Sequence, residues 1–331
     1  MFSQVTSVNL SSLREYGGIV CNGEIEPSQA GRMRSCWGIA AVDGGLNHCQ
    51  ALGLKPILCI GDFDSATPPL GIRTIRLKRA KDKTDLEAAV EQLRLRSFVF
   101  GGFGGRIDHT LTNLLIAYRY PAQLFFESEE QLFFVLDAEN TVDITPDRFQ
   151  TFSLIPLNGP ALQVTIHSER ETINYATIDR SNYPKQLPIT GRFSLYAQKG
   201  SVAVLLEKER HLYKTDDTFA LKRPLLDILQ DLFTLDDTPL RADQCTIYRI
   251  TPASGVMRFA SRPGQVISLI PFYGPVSGIT MKRLKWSRDQ LDQNFVGLSN
   301  LCLGEEFSVS IQSGELLCII NDLIDEEMID L

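Results

Sequence analysis

Pro56-Ile57-Leu58-Cys59-Ile60-Gly61-Asp62-Phe63-Asp64-Ser65 is a short unbroken apolar run that stops at a glycine and two aspartates bracketing an aromatic. So short and continuous a run reads as a strand covered on both faces. The pattern recurs on either side. Gly17-Gly18-Ile19-Val20-Cys21 stops at Asn22-Gly23, Gly38-Ile39-Ala40-Ala41-Val42 at Asp43-Gly44-Gly45, and Ser97-Phe98-Val99-Phe100 at Gly101-Gly102. Helical patterns lie between them. The clearest spans Thr84 to Leu95, with Leu86, Ala89, Val90 and Leu93 on one face and Thr84 and Glu87 at capping-box spacing. This alternation predicts an open, Rossmann-like parallel α/β sheet. Ligands of such sheets bind beyond the carboxyl ends of the strands. Here each of those ends carries glycine, and several carry aspartate.

Beyond about residue 128 the chain becomes rich in β-branched and aromatic residues separated by turn residues, which predicts antiparallel, sandwich-type β structure. This part is duplicated. Residues 150–166 and 265–281 share eight of seventeen positions at a constant offset of 115. The runs Ser201 to Leu206 and Phe307 to Ile311 follow the two copies as further strands. The expected organisation is an α/β domain over 1–128, a first β unit over 129–215, a linker with a short apolar helix (Pro224 to Phe233) over 216–244, and a second β unit over 245–331. Asp325, Glu326 and Glu327 read as a solvated acidic end.

Hydrophobic residues make up 44% and charged residues 22% of the 331, with a net charge of -7. That balance argues against a nucleic-acid binder, whose affinity comes from clustered Lys and Arg. The basic run Arg73 to Arg79 reads as a solvated face. The seven cysteines include no CxxC pair, which fits reduced thiols in the cytoplasm better than disulfides or zinc. No secretory leader is read at the N-terminus. No apolar run reaches the roughly 20 residues that span a bilayer.

Three loops carry chemistry. Asp62 and Asp64 could converge on one hard cation such as magnesium; a solvated turn is the competing reading. In Lys81-Asp82-Lys83-Thr84-Asp85, Asp85 sits where a helix N-terminus favours negative charge. It reads either as part of a cap or as a third metal ligand beside a phosphate-meeting lysine. Gly101-Gly102-Phe103-Gly104-Gly105-Arg106-Ile107-Asp108-His109 combines glycines whose amides can meet an anion with an arginine whose forked donors suit phosphate. Asp108 and His109 then open a helix with Leu111, Leu114 and Leu115 on its apolar face. His109 reads as a helix-start residue or a base. Neither a P-loop nor a GxGxxG fingerprint is present. Together the loops suggest phosphate chemistry on a nucleotide.

Asp43-Gly44-Gly45-Leu46-Asn47, Gly61-Asp62-Phe63-Asp64-Ser65, Lys81-Asp82-Lys83-Thr84-Asp85-Leu86-Glu87 and Gly104-Gly105-Arg106-Ile107-Asp108-His109 resemble, in order and separation, the signature loops of thiamine pyrophosphokinases. Asn22-Gly23-Glu24 resembles that family's first strand end. In the second β copy, Gly278 to Trp286 resembles the tryptophan-bearing segment of the family's thiamine-binding domain, and Ser299-Asn300 its later Ser-Asn pair. Arg283 stands where the family usually has glycine, and Ser287 where it has proline. In the first copy the 115 offset puts Glu171 in place of Trp286. Ser194-Leu195 aligns best with Ser299-Asn300 once about ten extra residues are allowed. The first copy is therefore read as a spacer or a dimerisation surface.

The resemblance implies transfer of pyrophosphate from ATP to the hydroxyl of thiamine, giving thiamine diphosphate and AMP. It implies Asp62, Asp64 and Asp85 as Mg²⁺ ligands, with Arg106 and Lys81 neutralising the triphosphate. Asp43, Gly44, Thr84, Gly104, Gly105 and His109 would complete the ATP site, and Asp108 would orient the hydroxyl or hold Arg106. Trp286, Ser299 and Asn300 would bind thiamine. It also implies a homodimer with no nucleic-acid or membrane partner. The alternatives are a metal-dependent kinase of this fold acting on another alcohol, and a catalytically idle thiamine- or nucleotide-binding protein.

Overall fold

The computed structural model describes residues 4–10, 12–63, 67–78, 83–145, 148–208, 225–242, 244–292 and 296–325. The chain divides into two compact units, residues 1–105 with 116–213, and residues 106–115 with 214–331.

The first unit holds the expected parallel sheet. Its strands run in the spatial order Arg73–Arg76, Leu58–Gly61, Gly38–Val42, Gly17–Val20, Ser97–Phe100, Leu124–Glu127, all parallel. The chain builds outward from Gly17–Val20 on one side, then returns to add Ser97–Phe100 on the other. The strand order therefore reverses beside Gly17–Val20, the position where an open α/β sheet leaves a crevice. Phe98, Phe100, Phe125 and Phe126 are fully buried, as strands covered on both faces require. The basic run begins as an edge strand, Arg73–Arg76, with both arginines exposed; Arg79 lies outside the described residues.

The parallel sheet continues into the first β unit without a break. Leu124–Glu127 pairs antiparallel with Gln131–Asp137, followed by Ser201–Glu207, Thr151–Ile155 and Leu187–Pro188, to make ten strands. A five-stranded sheet contains Asn140–Thr145, Phe193–Lys199, Ala161–Ser168 and Thr172–Ile178. Gln4–Asn9 joins it in parallel with Asn140–Thr145, a pairing that no local pattern in the sequence signals.

The helix expected from Thr84 spans Asp85–Leu93, and its capping box is formed. Glu87 N donates to Thr84 Oγ1 at 3.2 Å, and Thr84 N donates to Glu87 Oε2 at 2.9 Å. Thr84→Ala should cost about 1 kcal/mol, the usual value of such a cap, read from the denaturation midpoint. The buried Glu87 also pairs with Arg119, so the cap ties this helix to Ile107–Arg119.

The second unit is built on Cys245–Ile250, Leu316–Ile324, Gln265–Pro271 and Gly297–Leu301 in one sheet. Met257–Ala260, Glu306–Ser310 and Thr280–Lys282 form another. Ile267, Leu269, Phe307, Val309, Leu316 and Cys318 share its core. The apolar helix expected in the linker is Leu225–Thr234, with Leu225, Leu226, Leu229, Leu232 and Phe233 buried.

Strand pairing corrects the correspondence between the two copies. Thr151–Ile155 pairs with Ser201–Glu207, whereas Gln265–Pro271 pairs with Leu316–Ile324. Both runs expected after the copies are strands, Ser201–Glu207 and Glu306–Ser310; by pairing, the counterpart of the first is Leu316–Ile324, which the offset of 115 also gives, and Glu306–Ser310 lies in the smaller sheet. Phe152 faces Leu187 as Ile267 faces Asn300. The counterpart of Ser299-Asn300 is accordingly Gln186-Leu187, not Ser194-Leu195. Local sequence similarity could not find this, because only hydrogen-bonding position survives there.

Candidate active site

In the first unit the carboxyl-end turns of the parallel strands lie along one sheet edge, in mutual contact. Gly23 N donates to Gly101 O at 2.9 Å and Glu24 N to Phe103 O at 3.0 Å, which locks together the two turns that flank the reversal of strand order. A Cβ on Gly23 would stand 2.3 Å from Phe103 O, and one on Gly44 would stand 2.3 Å from Asn22 Oδ1. Gly23 is there because backbone meets backbone, and Gly44 because the Asn22 side chain lies against it.

Asp43 follows its strand in the left-handed region at φ 47°, and Phe63 does so at φ 58°. Non-glycine residues rarely adopt this conformation except where surrounding structure imposes it. Asp43 N donates to Ile60 O at 2.7 Å, so the Asp43 and Asp62 turns are neighbours. Asp62 O accepts from Arg76 Nη1 at 2.9 Å, and the Arg76 guanidinium stands over the Phe63 ring. Asp85 opens its helix half-exposed. Burial, helped by the nearby Asp85 carboxylate, pushes the Cys21 thiol up to about 12.

Asp64 and Lys81 lie outside the described residues. Among the described residues no group of three or more His, Cys, Asp or Glu is spaced to hold a metal ion. The hard oxygen donors of Asp62 and Asp85 nevertheless suit magnesium, which takes few carboxylates and completes its shell with water and phosphate.

Arg106 and Asp108 belong to the second unit. Asp108 is fully buried, in the first turn of the helix Ile107–Arg119. Arg106 clamps it with two bonds, Nη2 to Oδ2 at 2.6 Å and Nε to Oδ1 at 3.1 Å. Ser268 Oγ donates to Asp108 Oδ2 at 2.6 Å, and Asn321 Nδ2 donates to the same oxygen at 3.2 Å. His109 N donates to Oδ1 at 3.0 Å. Burial opposes the charge, but Arg106 and the other donors outweigh it and hold the carboxyl down to about 2. Arg106 Nη2 also donates to Ser299 Oγ at 3.0 Å. Gly104 and Gly105, just before Arg106, are exposed at φ 85° and 70°, and the side chain of His109 is exposed.

Trp286 is 39% exposed, with Lys285 Nζ 5.4 Å from its ring centroid. Asn300, which is buried, spends its amide on the Trp286 backbone. Trp286 N donates to Asn300 Oδ1 at 3.1 Å, and Asn300 Nδ2 donates to Trp286 O at 2.6 Å. Asn300 thus holds the tryptophan in place. Arg283, where the resembled family has glycine, sits at φ 60°. Arg283→Gly should relieve about 1 kcal/mol of left-handed strain, partly offset by extra unfolded-chain entropy. The expected result is a midpoint equal to or slightly above that of the parent. Ser268 and Asn321 escaped sequence reading. Their only signal is a polar residue inside an apolar strand, Ser268 in Val-Ile-Ser-Leu-Ile and Asn321 in Cys-Ile-Ile-Asn.

All seven cysteines are free thiols. Among the described residues no helix is long and apolar enough to cross a membrane.

A parallel α/β sheet with carboxylate-bearing edge turns, followed in the chain by antiparallel β units, defines a mixed α/β protein of two-part architecture. The family model for the thiamin pyrophosphokinase catalytic domain matches residues 32–126, and that for the thiamin pyrophosphokinase vitamin B1 binding domain matches residues 256–318. Both models are of the thiamine pyrophosphokinase family and together they match 158 of the 331 residues, which supports that family for this chain. Among solved structures, thiamin pyrophosphokinase from Geobacillus thermodenitrificans is 19% identical, with a TM-score of 0.52 over 59% of this chain and 99% of that one. The Candida albicans thiamin pyrophosphokinase is 16% identical, with a TM-score of 0.51 over 63% and 95%. These likenesses bear on the fold. A sequence search of curated proteins finds no match.

Proposed function

We propose that this chain transfers the pyrophosphoryl group of ATP to the hydroxyl of thiamine, releasing AMP and thiamine diphosphate. The observation that carries this reading is the bond between Arg106 and Ser299. It joins the arginine of the glycine-rich phosphate loop to a residue of the unit matched by the vitamin B1 binding model.

Residues 1–128 would act as the catalytic domain and 245–331 as the thiamine-binding unit, with 129–215 as spacer or dimerisation surface. Asp43, Gly44, Thr84, Gly104, Gly105 and His109 would shape the nucleotide site, and Lys81 and Arg106 would neutralise the triphosphate. Asp62, Asp64 and Asp85 would hold a magnesium ion, which supplies charge neutralisation for phosphoryl transfer. Asp108 is bonded too closely to Arg106 and is too acidic to act as a base near neutral pH. Its role is to present the guanidinium. Trp286 would stack on a thiamine ring, with Ser299 beside it and Asn300 fixing its backbone. The enzyme would work in the cytoplasm as a homodimer, which light scattering at assay concentration tests by mass.

The deciding assay mixes ATP, Mg²⁺ and thiamine and follows nucleotide products. AMP with thiamine diphosphate supports the reading, and ADP indicates a kinase on an alcohol. Binding of thiamine without turnover indicates an idle binder. Trp286→Ala should raise the thiamine KM by roughly tenfold, the worth of an aromatic and cation–π stack, with kcat changed less. An unchanged KM would move the thiamine site elsewhere.

A further inference from the structure

The two β copies share a buried node that only the second has turned toward an aspartate. In the first copy, Gln186 sits at φ 50° and its N donates to Ser153 Oγ at 2.9 Å. In the second, Ser299 sits at φ 54° and its N donates to Ser268 Oγ at 3.0 Å. Both serines are fully buried. The serine and the left-handed residue bonded to it are thus common to the repeat, and neither by itself indicates a site.

The neighbouring positions differ. Ser153 pairs with Leu205 and Ser268 with Ile319. Two residues further along these strands stand Glu207 and Asn321, both buried. An ionised carboxylate at 207 has no proton to donate to a second carboxylate, whereas the Asn321 amide donates to Asp108. At the other variable position, Gln186 is replaced by Ser299, whose hydroxyl accepts from Arg106. Both exchanges create what an Arg–Asp pair needs, one a donor for the carboxylate and the other an acceptor for the guanidinium. Ser268 keeps the amide of Ser299 and gives its own proton to Asp108.

We propose that Ser268 and Asn321 are positioning residues of the phosphate-binding machinery. They fix the Asp108 carboxylate from the second β unit, and through it the angle at which Arg106 meets the transferring phosphates. The second unit then serves the phosphate half of the reaction as well as thiamine. The inference rests on the proposed phosphate role of Arg106. Its chemistry is hydrogen bonding alone: Ser268 and Asn321 join Arg106 Nη2 on Oδ2 while Arg106 Nε and the His109 amide take Oδ1, so the carboxylate plane is fixed and the fork of the arginine has one orientation on it.

The test uses the full chain with Asn321→Asp and Ser268→Ala, each checked for a cooperative melt. Asn321→Asp sets a second carboxylate beside Asp108, among Arg106 and His109 as the other ionisable groups facing it. Its kcat should fall by about tenfold or more at neutral pH. Relative to the parent enzyme it should recover as the pH is lowered, because the pair takes up a proton and regains a donor. Ser268→Ala should lower kcat by about tenfold with the thiamine KM within about twofold. A folded Asn321→Asp variant with parental kcat, or with a loss that does not vary with pH, would overturn the inference, as would parental kcat in Ser268→Ala. Titration with magnesium pyrophosphate separates this from failure of the functional reading. If the parent shows no turnover of thiamine yet binds pyrophosphate, weakening of about tenfold in both variants keeps the positioning role and discards the reaction; equal affinity discards the positioning role.

Discussion

Asp108→Ala is expected to lower kcat by at least about a hundredfold and to destabilise the protein by about 2–4 kcal/mol. The two effects share a cause. Asp108 is the buried acceptor for Arg106, Ser268, Asn321 and the His109 amide. Deleting it leaves those donors facing a small cavity and frees a guanidinium that is itself partly exposed. That exposure keeps the cost below the loss of a fully buried pair. Asp108→Asn, which keeps the shape but loses the charge, should recover part of the stability and little of the activity, because a neutral amide grips a guanidinium weakly.

The same carboxylate predicts an acid limb of stability. Its folded pKa is depressed to about 2, below the unfolded value of about 3.9. Its contribution is therefore complete above the unfolded value and is lost as pH falls from there toward 2. Urea midpoints measured across that window should decline in the parent and decline less in Asp108→Asn. A parallel decline in both would assign the acid sensitivity to other carboxylates.

Asp62→Asn and Asp85→Asn are expected to lower turnover by about a thousandfold each while leaving the denaturation midpoint nearly unchanged. Losing the charge at a helix N-terminus costs Asp85→Asn only about 0.3–1 kcal/mol, and the Thr84–Glu87 capping box remains. Asp62 contributes its backbone carbonyl to Arg76, which the substitution does not touch. Activity with stability intact separates ligands of a catalytic ion from parts of the fold. Chelation of magnesium should silence the parent, and excess Mg²⁺ should restore it. If either variant keeps near-parental turnover, that residue leaves the proposed ligand set.

Much of the first unit was legible in the sequence because its signals are local. A strand covered on both faces needs an unbroken apolar run. A helix start needs Thr84 and Glu87 three residues apart. Turns that touch one another need residues such as Gly23 and Gly44. The duplication was legible because the 150–166 and 265–281 segments keep their side chains. The match of Gln186-Leu187 with Ser299-Asn300 was not, because Gln186 and Ser299 share only a backbone conformation and a hydrogen bond. The continuation of the parallel sheet into the first β unit was hidden for a related reason: any amphipathic strand can add to a sheet edge, and pairing leaves little trace in side-chain identity.

By itself the sequence determined the parallel sheet, the edge that bears its carboxylates and glycines, and the repeat. Each follows from steric and solvation demands acting over a few neighbouring residues. The tertiary structure alone decided which polar residues share the buried node. Asp108 bonds to Ser268 across 160 positions and to Asn321 across 213. In the chain those two are ordinary polar residues inside apolar strands. Only when folding excludes water must their donors find a carboxylate, since a buried polar group left without a partner costs more than the bond that satisfies it returns.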